Sequence, residues 1–389
     1  MSWSFHDPRR CAFGGAAAIA LVLASPIAAQ TVSRLETDMS VFASHNPFLL
    51  PGRKRGALGV EASVRPSIAV RTADGSRYDL DAVITDRAYS RRYGNFVTGR
   101  VNASGEVRRS EYLTITASAG VARDLAVDLL TSSVEAAADP GSIRMAYRGR
   151  LSAIISPDAY TIIRPEIGYE RSGFTGTDLL DDTRALDAGL AYVRRIDPVT
   201  RVGVRGGATF SKTRRASDLS TQRLYGTIER QLGGGWTATA ELGAERSSSR
   251  TEAVLDAPVD QRARTLLSGR ADLCRALPGP VLCVRGSLNS EISGLGGLQR
   301  RAVAGASYRQ RIGRRSVVDL SGEYQRAMIQ GDIVPSFDAV RATARFERTI
   351  GSTLTASAQV QYLRRRLIGG ERIGAAFGGL QLTYAMDRR

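Results

Sequence analysis

The chain has 389 residues, 43% of them hydrophobic and only 6% aromatic, with 40 glycines and a formal net charge of +16. That length suits one large domain or two ordinary ones, and the low aromatic content argues against a thick packed core. All but Lys54 and Lys212 of the 54 basic residues are arginine; charge alone would suit a nucleic-acid binder, but the first thirty residues argue against that.

Residues 1–29 read as a secretory signal peptide. Arg9 and Arg10 form a basic start, Ala12 to Leu23 an apolar core, and Pro26 to Ala29 a small-residue end, so cleavage is expected after Ala29. The apolar run is too short to remain as a membrane-spanning helix, and Cys11 leaves with it. The mature chain, 30–389, is expected to be exported, and no nucleic-acid partner is expected.

The dominant signal along the mature chain is a period of two. The first strand is expected over 34–43, carried by Leu35, Met39 and Val41. In 57–71, ALGVEASVRPSIAVR, Leu58, Val60, Ala62, Val64, Pro66, Ile68 and Val70 form one edge, against Glu61, Arg65 and Arg71 on the other. A weaker strand follows at 77–85. The alternation returns at 113–121, 143–155 and 202–210, weakens at 222–231, and is clear again at 354–362. Side chains of a strand alternate between faces, so these segments are strands and not helices.

The connections alternate too. Short turns are expected near Asp74-Gly75, Arg109-Ser110, Ser156-Pro157-Asp158, Asp197-Pro198, Gly233-Gly235, Pro278-Gly279-Pro280, Gly313-Arg314 and Ile350-Gly351. Between them run longer stretches, read as polar, including 44–56, 86–94 and 125–140. Short, long, short, long is the rhythm of an all-β, antiparallel, up-and-down transmembrane barrel in the outer membrane. The count is about eighteen strands, with sixteen as the alternative, and both termini fall in the periplasm.

A soluble β-sandwich or propeller is the other reading of the same alternation. Three features favour the barrel: the persistence of the pattern without helices, the small aliphatic residues on the apolar edge, and aromatics toward strand ends. The last are Tyr192, Phe210, Trp236, Tyr308, Tyr324, Phe346, Tyr362 and Tyr384, placed as an interfacial girdle. Pro66 and Pro165 sit mid-strand, each after an arginine, and a bulge or bend is expected at both.

If the apolar edge faces lipid, parity puts Arg65, Arg100, Arg108, Arg144, Arg148, Arg150, Arg164, Arg184, Arg194, Arg201, Arg205, Arg223, Arg262, Arg264, Arg270, Arg285, Arg301, Arg309, Arg341 and Arg345 in the lumen. Glu61, Asp79, Asp81, Glu106, Glu166, Asp187, Glu229, Glu241, Asp272, Asp319, Glu323 and Glu347 join them. Most of these arginines are expected to pair with carboxylates across strands, but they outnumber them, and a net basic pore favours anions. Guanidinium groups also bind carboxylates and phosphates in bidentate fashion.

No catalytic machinery is expected. His45 is the one histidine of the mature chain and falls in the first outer loop, without a nucleophile motif nearby. No cofactor and no zinc site are expected, because one histidine and two mature cysteines do not make one. Cys274 and Cys283 flank the turn at 276–280, on the lumen edge, and are expected to form a cross-strand disulfide near the periplasmic rim; two free thiols are the alternative.

Leu35-Glu36-Thr37-Asp38 leading into Ser44-His45-Asn46-Pro47-Phe48, then Tyr89-Ser90-Arg91-Arg92-Tyr93-Gly94 and Ala122-Arg123-Asp124-Leu125, resemble a β-barrel porin family of Gram-negative bacteria often encoded beside exopolysaccharide export genes. The resemblance covers nearly the whole mature chain, and its motifs are loose. It implies an outer-membrane barrel that passes exopolysaccharide outward, with periplasmic export partners, and it carries over no site residues. The chain departs from many barrels at its end, where Tyr384 and not a terminal phenylalanine is the nearest aromatic.

The leading expectation is therefore a channel for an anionic solute or acidic polysaccharide, set in outer-membrane lipid and lipopolysaccharide. A general diffusion porin is the alternative, followed by a surface enzyme using His45 or an adhesive barrel with a plugged lumen.

Overall fold

The structure, a computed structural model, describes residues 30–51, 56–90, 93–133, 135–136, 139–213, 218–250, 263–292, 298–329, 337–367 and 371–388. The expected signal peptide and Arg262 lie outside the described residues.

Eighteen strands form one sheet. They are β1 (Gln30–Ser44), β2 (Ala57–Arg71), β3 (Arg77–Tyr89), β4 (Asn95–Arg108), β5 (Leu113–Leu125), β6 (Ile143–Ile155), β7 (Thr161–Thr175), β8 (Thr183–Asp197) and β9 (Thr200–Thr213). β10 (Asp218–Leu232), β11 (Trp236–Arg250), β12 (Ala263–Ala276), β13 (Pro280–Ile292), β14 (Leu298–Ile312), β15 (Ser316–Ile329), β16 (Phe337–Thr349), β17 (Leu354–Leu367) and β18 (Arg372–Arg388) complete the ring. Each strand pairs antiparallel with its sequence neighbours, and β1 pairs with β18, as in Met39 opposite Leu382. Closure leaves no edge strand. The three weakest expected strands all form, as β1, β3 and β10.

The strands run from 13 residues in β3 to 17 in β18, more than the roughly 9–11 residues a tilted strand needs to cross the hydrocarbon layer. Large apolar side chains stand on the outer wall, among them Leu58, Leu242 and Leu380, exposed by 63%, 66% and 69%. A soluble sandwich would bury such residues; a barrel in lipid turns them outward. The eight aromatics expected in the girdle share this outward edge and fall into two groups. Tyr192, Trp236, Tyr308, Phe346 and Tyr384 lie toward the short-turn end, and Phe210, Tyr324 and Tyr362 toward the long-loop end.

All eight short turns lie at one end of the barrel, with both ends of the described chain. Gly234 and Gly235, at φ 70° and 78°, take the left-handed conformation the β10–β11 turn requires. At the β2–β3 turn the hydroxyls of Thr72 and Ser76 donate to Asp74 and hold its carboxyl below the ordinary carboxylate range.

Pro66 and Pro165 do not make bulges. Pairing of β2 with β3 stops at Val64–Ile84 and resumes at Ser67–Asp81 in the same register. Pairing of β6 with β7 stops at Ser152–Glu166 and resumes at Ile155–Ile163, again unshifted. On its other edge each proline stays in the ladder, Pro66 opposite Leu35 and Pro165 opposite Leu190. The missing N–H therefore costs pairing on one side only. A bulge needs an extra residue, and neither strand has one there. Among the described residues the register shifts only in β8–β9, between Arg195 and Asp197.

Candidate functional site in the barrel lumen

Two of the long loops fold into the barrel. The first follows β1. Asn46, Pro47, Phe48 and Leu49 are buried. The Asn46 side chain accepts from Leu50 N (3.0 Å) and donates to Leu50 O (3.1 Å), closing the turn on itself. Leu49 sits at φ 51°, a strained choice for a branched residue. Its burial is complete, and its carbonyl accepts from Arg365 Nη2 at 3.1 Å. Phe48 lies 5.3–5.4 Å, centroid to centroid, from Tyr89, Tyr93 and Phe96. Phe42 lies over Gly59, where a Cβ would meet its ring at 2.1 Å. His45 Nδ1 accepts the Ala376 N–H at 3.0 Å, so this ring nitrogen ties the loop to β18.

The second is the β5–β6 loop, 126–142, which opens with a 3-10 turn, Ala126–Leu129. Leu125, Val127 and Leu130 are buried with Phe48, Leu49 and Tyr89 in one apolar cluster that also takes in Ala327, Phe337, Ala339, Leu363, Ile373 and Ala375. The loop reaches strands about half the ring away. Arg341 Nη2 donates to the carbonyls of Val127 (3.3 Å) and Asp128 (2.5 Å), and Arg301 Nη2 to Thr131 O (2.7 Å). Gln325 Nε2 reaches Ser133 O at 3.4 Å, and Arg87 pairs with Asp128 at 3.2 Å. The described residues of 125–140 thus form no polar outer loop. Its sequence signal is Leu125-Ala126-Val127-Asp128-Leu129-Leu130, a run too apolar for a loop in water. Pro47-Phe48-Leu49-Leu50 carries the same signal.

The inward wall around this cluster is charged. Arg65, Arg100, Arg108, Arg144, Arg148, Arg150, Arg164, Arg201, Arg205, Arg223, Arg264, Arg270, Arg285, Arg301, Arg309, Arg341 and Arg345 share the inward edge of their strands, as do the twelve expected carboxylates. Arg184 and Arg194 do not. β8 turns its even positions outward, with Leu186, Leu190 and Tyr192 exposed on the same edge, so both arginines stand on the outer wall.

Many inward arginines meet carboxylates on the same strand, the next one or the one beyond. Arg65 pairs with Asp38 (3.1 Å), Arg144 and Arg148 with Glu170 (2.8 and 3.2 Å), Arg205 with Glu166 (2.5 Å) and Arg270 with Glu241 (3.1 Å). Arg285 pairs with Glu323, and Arg201, Arg309 and Arg345 make looser pairs with Glu229, Asp319 and Glu347 at 3.5–3.6 Å. Arg301 pairs with Glu291 at 3.4 Å and hydrogen-bonds Gln325 while reaching the infolded loop with Nη2, and Arg341 Nη2 donates to that loop. Arg100, Arg108, Arg150, Arg164 and Arg223 have no ion-pair partner among the described residues. Arg100, Arg150 and Arg164 are exposed although they point into the barrel, so the space before them is open. Inward glycines leave room for the charged side chains: a Cβ at Gly168 would lie 2.5 Å from the Asp187 carboxylate, and one at Gly189 3.1 Å from Glu166.

Cys274 and Cys283 are direct cross-strand partners on the inward edge of β12 and β13, with Cα atoms 4.1 Å apart and an S–S bond of 2.14 Å. They close the hairpin at the short-turn end. Replacing both, Cys274→Ser with Cys283→Ser, is expected to cost at most about 3 kcal/mol, the loop-entropy value for so short a span. The barrel should still close, and the temperature at which it loses its compact migration on a detergent gel should fall.

No family model matches the chain, and no curated protein matches it. Among solved structures it is similar to OccK2 (OpdF) of Pseudomonas aeruginosa, at 11% identity over 92% of this chain and 98% of that one, with a TM-score of 0.50. The outer membrane protein opdK of Pseudomonas aeruginosa is similar at 10% identity over 92% and 99%, TM-score 0.48, and OccAB1 of Acinetobacter baumannii at 11% over 92% and 97%, TM-score 0.47. At such identities the likeness is one of fold. It bears on neither polysaccharide export nor the expected porin family. The closed ring and its apolar outer wall, in a fold shared with OccK2, are those of an outer-membrane β-barrel.

Proposed function

We propose that this barrel is a channel that favours anionic solutes. The observation that carries the reading is the set of inward arginines with no ion-pair partner among the described residues, Arg100, Arg108, Arg150, Arg164 and Arg223. A fixed positive wall lowers the energy of an entering anion, and the flanking Arg–carboxylate pairs keep each contact weak enough to release. The geometry favours small acidic solutes, because the apolar cluster and its two loops occupy part of the mouth. A mature barrel reconstituted into liposomes is expected to admit a small acidic sugar faster than the neutral sugar of the same size. Equal rates would support a general diffusion porin instead.

The second reading is passage of an acidic exopolysaccharide. It draws on the resemblance noted in the sequence and on the spread of inward arginines from Arg144 near the mouth to Arg201 near the base. It requires the docked loops to withdraw, and a periplasmic export partner is the natural agent. An acidic polymer that blocks the ionic current of the mature barrel would support it; a current indifferent to polymer would count against it.

A further inference from the structure

The outer wall carries a second concentration of positive charge that the channel does not use. Arg171 of β7 is the direct cross-strand partner of Arg184 of β8, and Arg184 is the direct partner of Lys212 of β9. All three lie at the long-loop ends of their strands, on the outward edge. Like charges directly opposite each other weaken a sheet unless something neutralises them. Asp218 reaches Lys212 at 3.3 Å. Neither Arg171 nor Arg184 has an ion-pair partner among the described residues, and Asp182 of the adjoining loop accepts from Phe174 N at 3.4 Å.

Two residues closer to the membrane centre runs a matching apolar row. Tyr169 pairs with Leu186, and Leu186 with Phe210. These side chains are exposed by 46%, 45% and 55%. A groove of about 520 Å³ is lined here by Arg184, Lys212 and Asp218 above and by Tyr169, Leu186 and Phe210 below, with Arg171 beside it as the cross-strand partner of Arg184. Its upper edge is cationic and its lower edge aliphatic and aromatic. Guanidinium groups suit phosphate oxygens in bidentate geometry, and the apolar row suits an acyl chain. The groove opens toward the outward-facing leaflet, because it lies at the long-loop end.

We infer that this groove on β7–β9 is a binding site for a phosphorylated glycolipid of the outer leaflet, such as lipopolysaccharide, with Arg171, Arg184 and Lys212 holding its phosphate and Tyr169, Leu186 and Phe210 one acyl chain. The complementarity of charge to phosphate and of the apolar row to lipid argues for this occupant.

The test uses the mature barrel extracted in mild detergent, stripped of lipid and titrated with purified lipopolysaccharide, with bound mass read by native mass spectrometry. The variant Arg171→Gln/Arg184→Gln/Lys212→Gln is expected to lose at least tenfold in retention. Arg194→Gln/Arg230→Gln, outward at the opposite end, should leave it unchanged, which separates this site from charge in general. Lipopolysaccharide with its phosphates removed should bind as poorly to the wild type as the intact lipid does to the triple variant. Equal retention by wild type and triple variant would overturn the inference. So would displacement of the lipid by millimolar inorganic phosphate, or a second copy of the chain in its place.

Discussion

Excising residues 128–139 from the β5–β6 loop is expected to raise single-channel conductance severalfold while leaving the barrel folded. The ends of the cut already meet, since Val127 N donates to Pro140 O at 3.0 Å and Ala126 N to Ser142 O at 2.9 Å. A two-residue Asn-Gly turn can bridge them. Magnitudes explain why excision is the variant to make. Hydrogen bonds from charged donors are worth roughly 1.5–3 kcal/mol each, so losing the three that Arg301 and Arg341 give the loop forfeits about 4.5–9 kcal/mol. The buried side chains of Leu125, Val127 and Leu130 contribute a further ~1.5–3 kcal/mol apiece. These anchors hold the loop after its latches are gone, so Arg301→Ala/Arg341→Ala should give a noisier current and not a much larger one. An excised barrel with unchanged conductance would show that the loop does not narrow the path.

The second large effect is electrical. Replacing three arginines that have no ion-pair partner among the described residues, Arg150→Glu/Arg164→Glu/Arg223→Glu, is expected to turn an anion preference into a cation preference. A unit charge about 10 Å away in water acts on a passing ion with roughly 0.4 kcal/mol. Three reversals change the wall by six charges, about 2.5 kcal/mol, which screening at ordinary ionic strength cuts to about 1 kcal/mol. The change is of opposite sign for anion and cation, so their permeability ratio should move by about twentyfold. Equivalent changes at Arg144, Arg205 or Arg270 should do less for selectivity and more harm to the wall. Each would leave Glu170, Glu166 or Glu241 facing a like charge.

The sequence carried the barrel clearly because a period of two is a local property. Eight turns and the strands that became β1, β3 and β10 could be placed from composition and alternation alone. Arg184 and Arg194 share the even alternation of Leu186, Leu190 and Tyr192, so the parity of the sequence itself, followed consistently, puts them outside and not in the expected lumen set. The cross-strand partners Arg171 and Lys212, with the run Leu186, Leu190, Tyr192, settle the outward edge. At the prolines, of the bulge or bend expected, the bulge does not form, because the ladder tolerates a gap on one side. The infolded loops were least legible. Their burial depends on Arg301, Arg341 and Arg365, far away in the chain, and only their unusual apolarity hinted at it.

The most direct test of the central claim is the reversal potential of the wild-type mature barrel in a planar bilayer under a potassium chloride gradient. The account predicts a potential displaced toward that of chloride, and a smaller or opposite displacement after Arg150→Glu/Arg164→Glu/Arg223→Glu. A wild-type potential near zero, or displaced toward that of potassium, would contradict it.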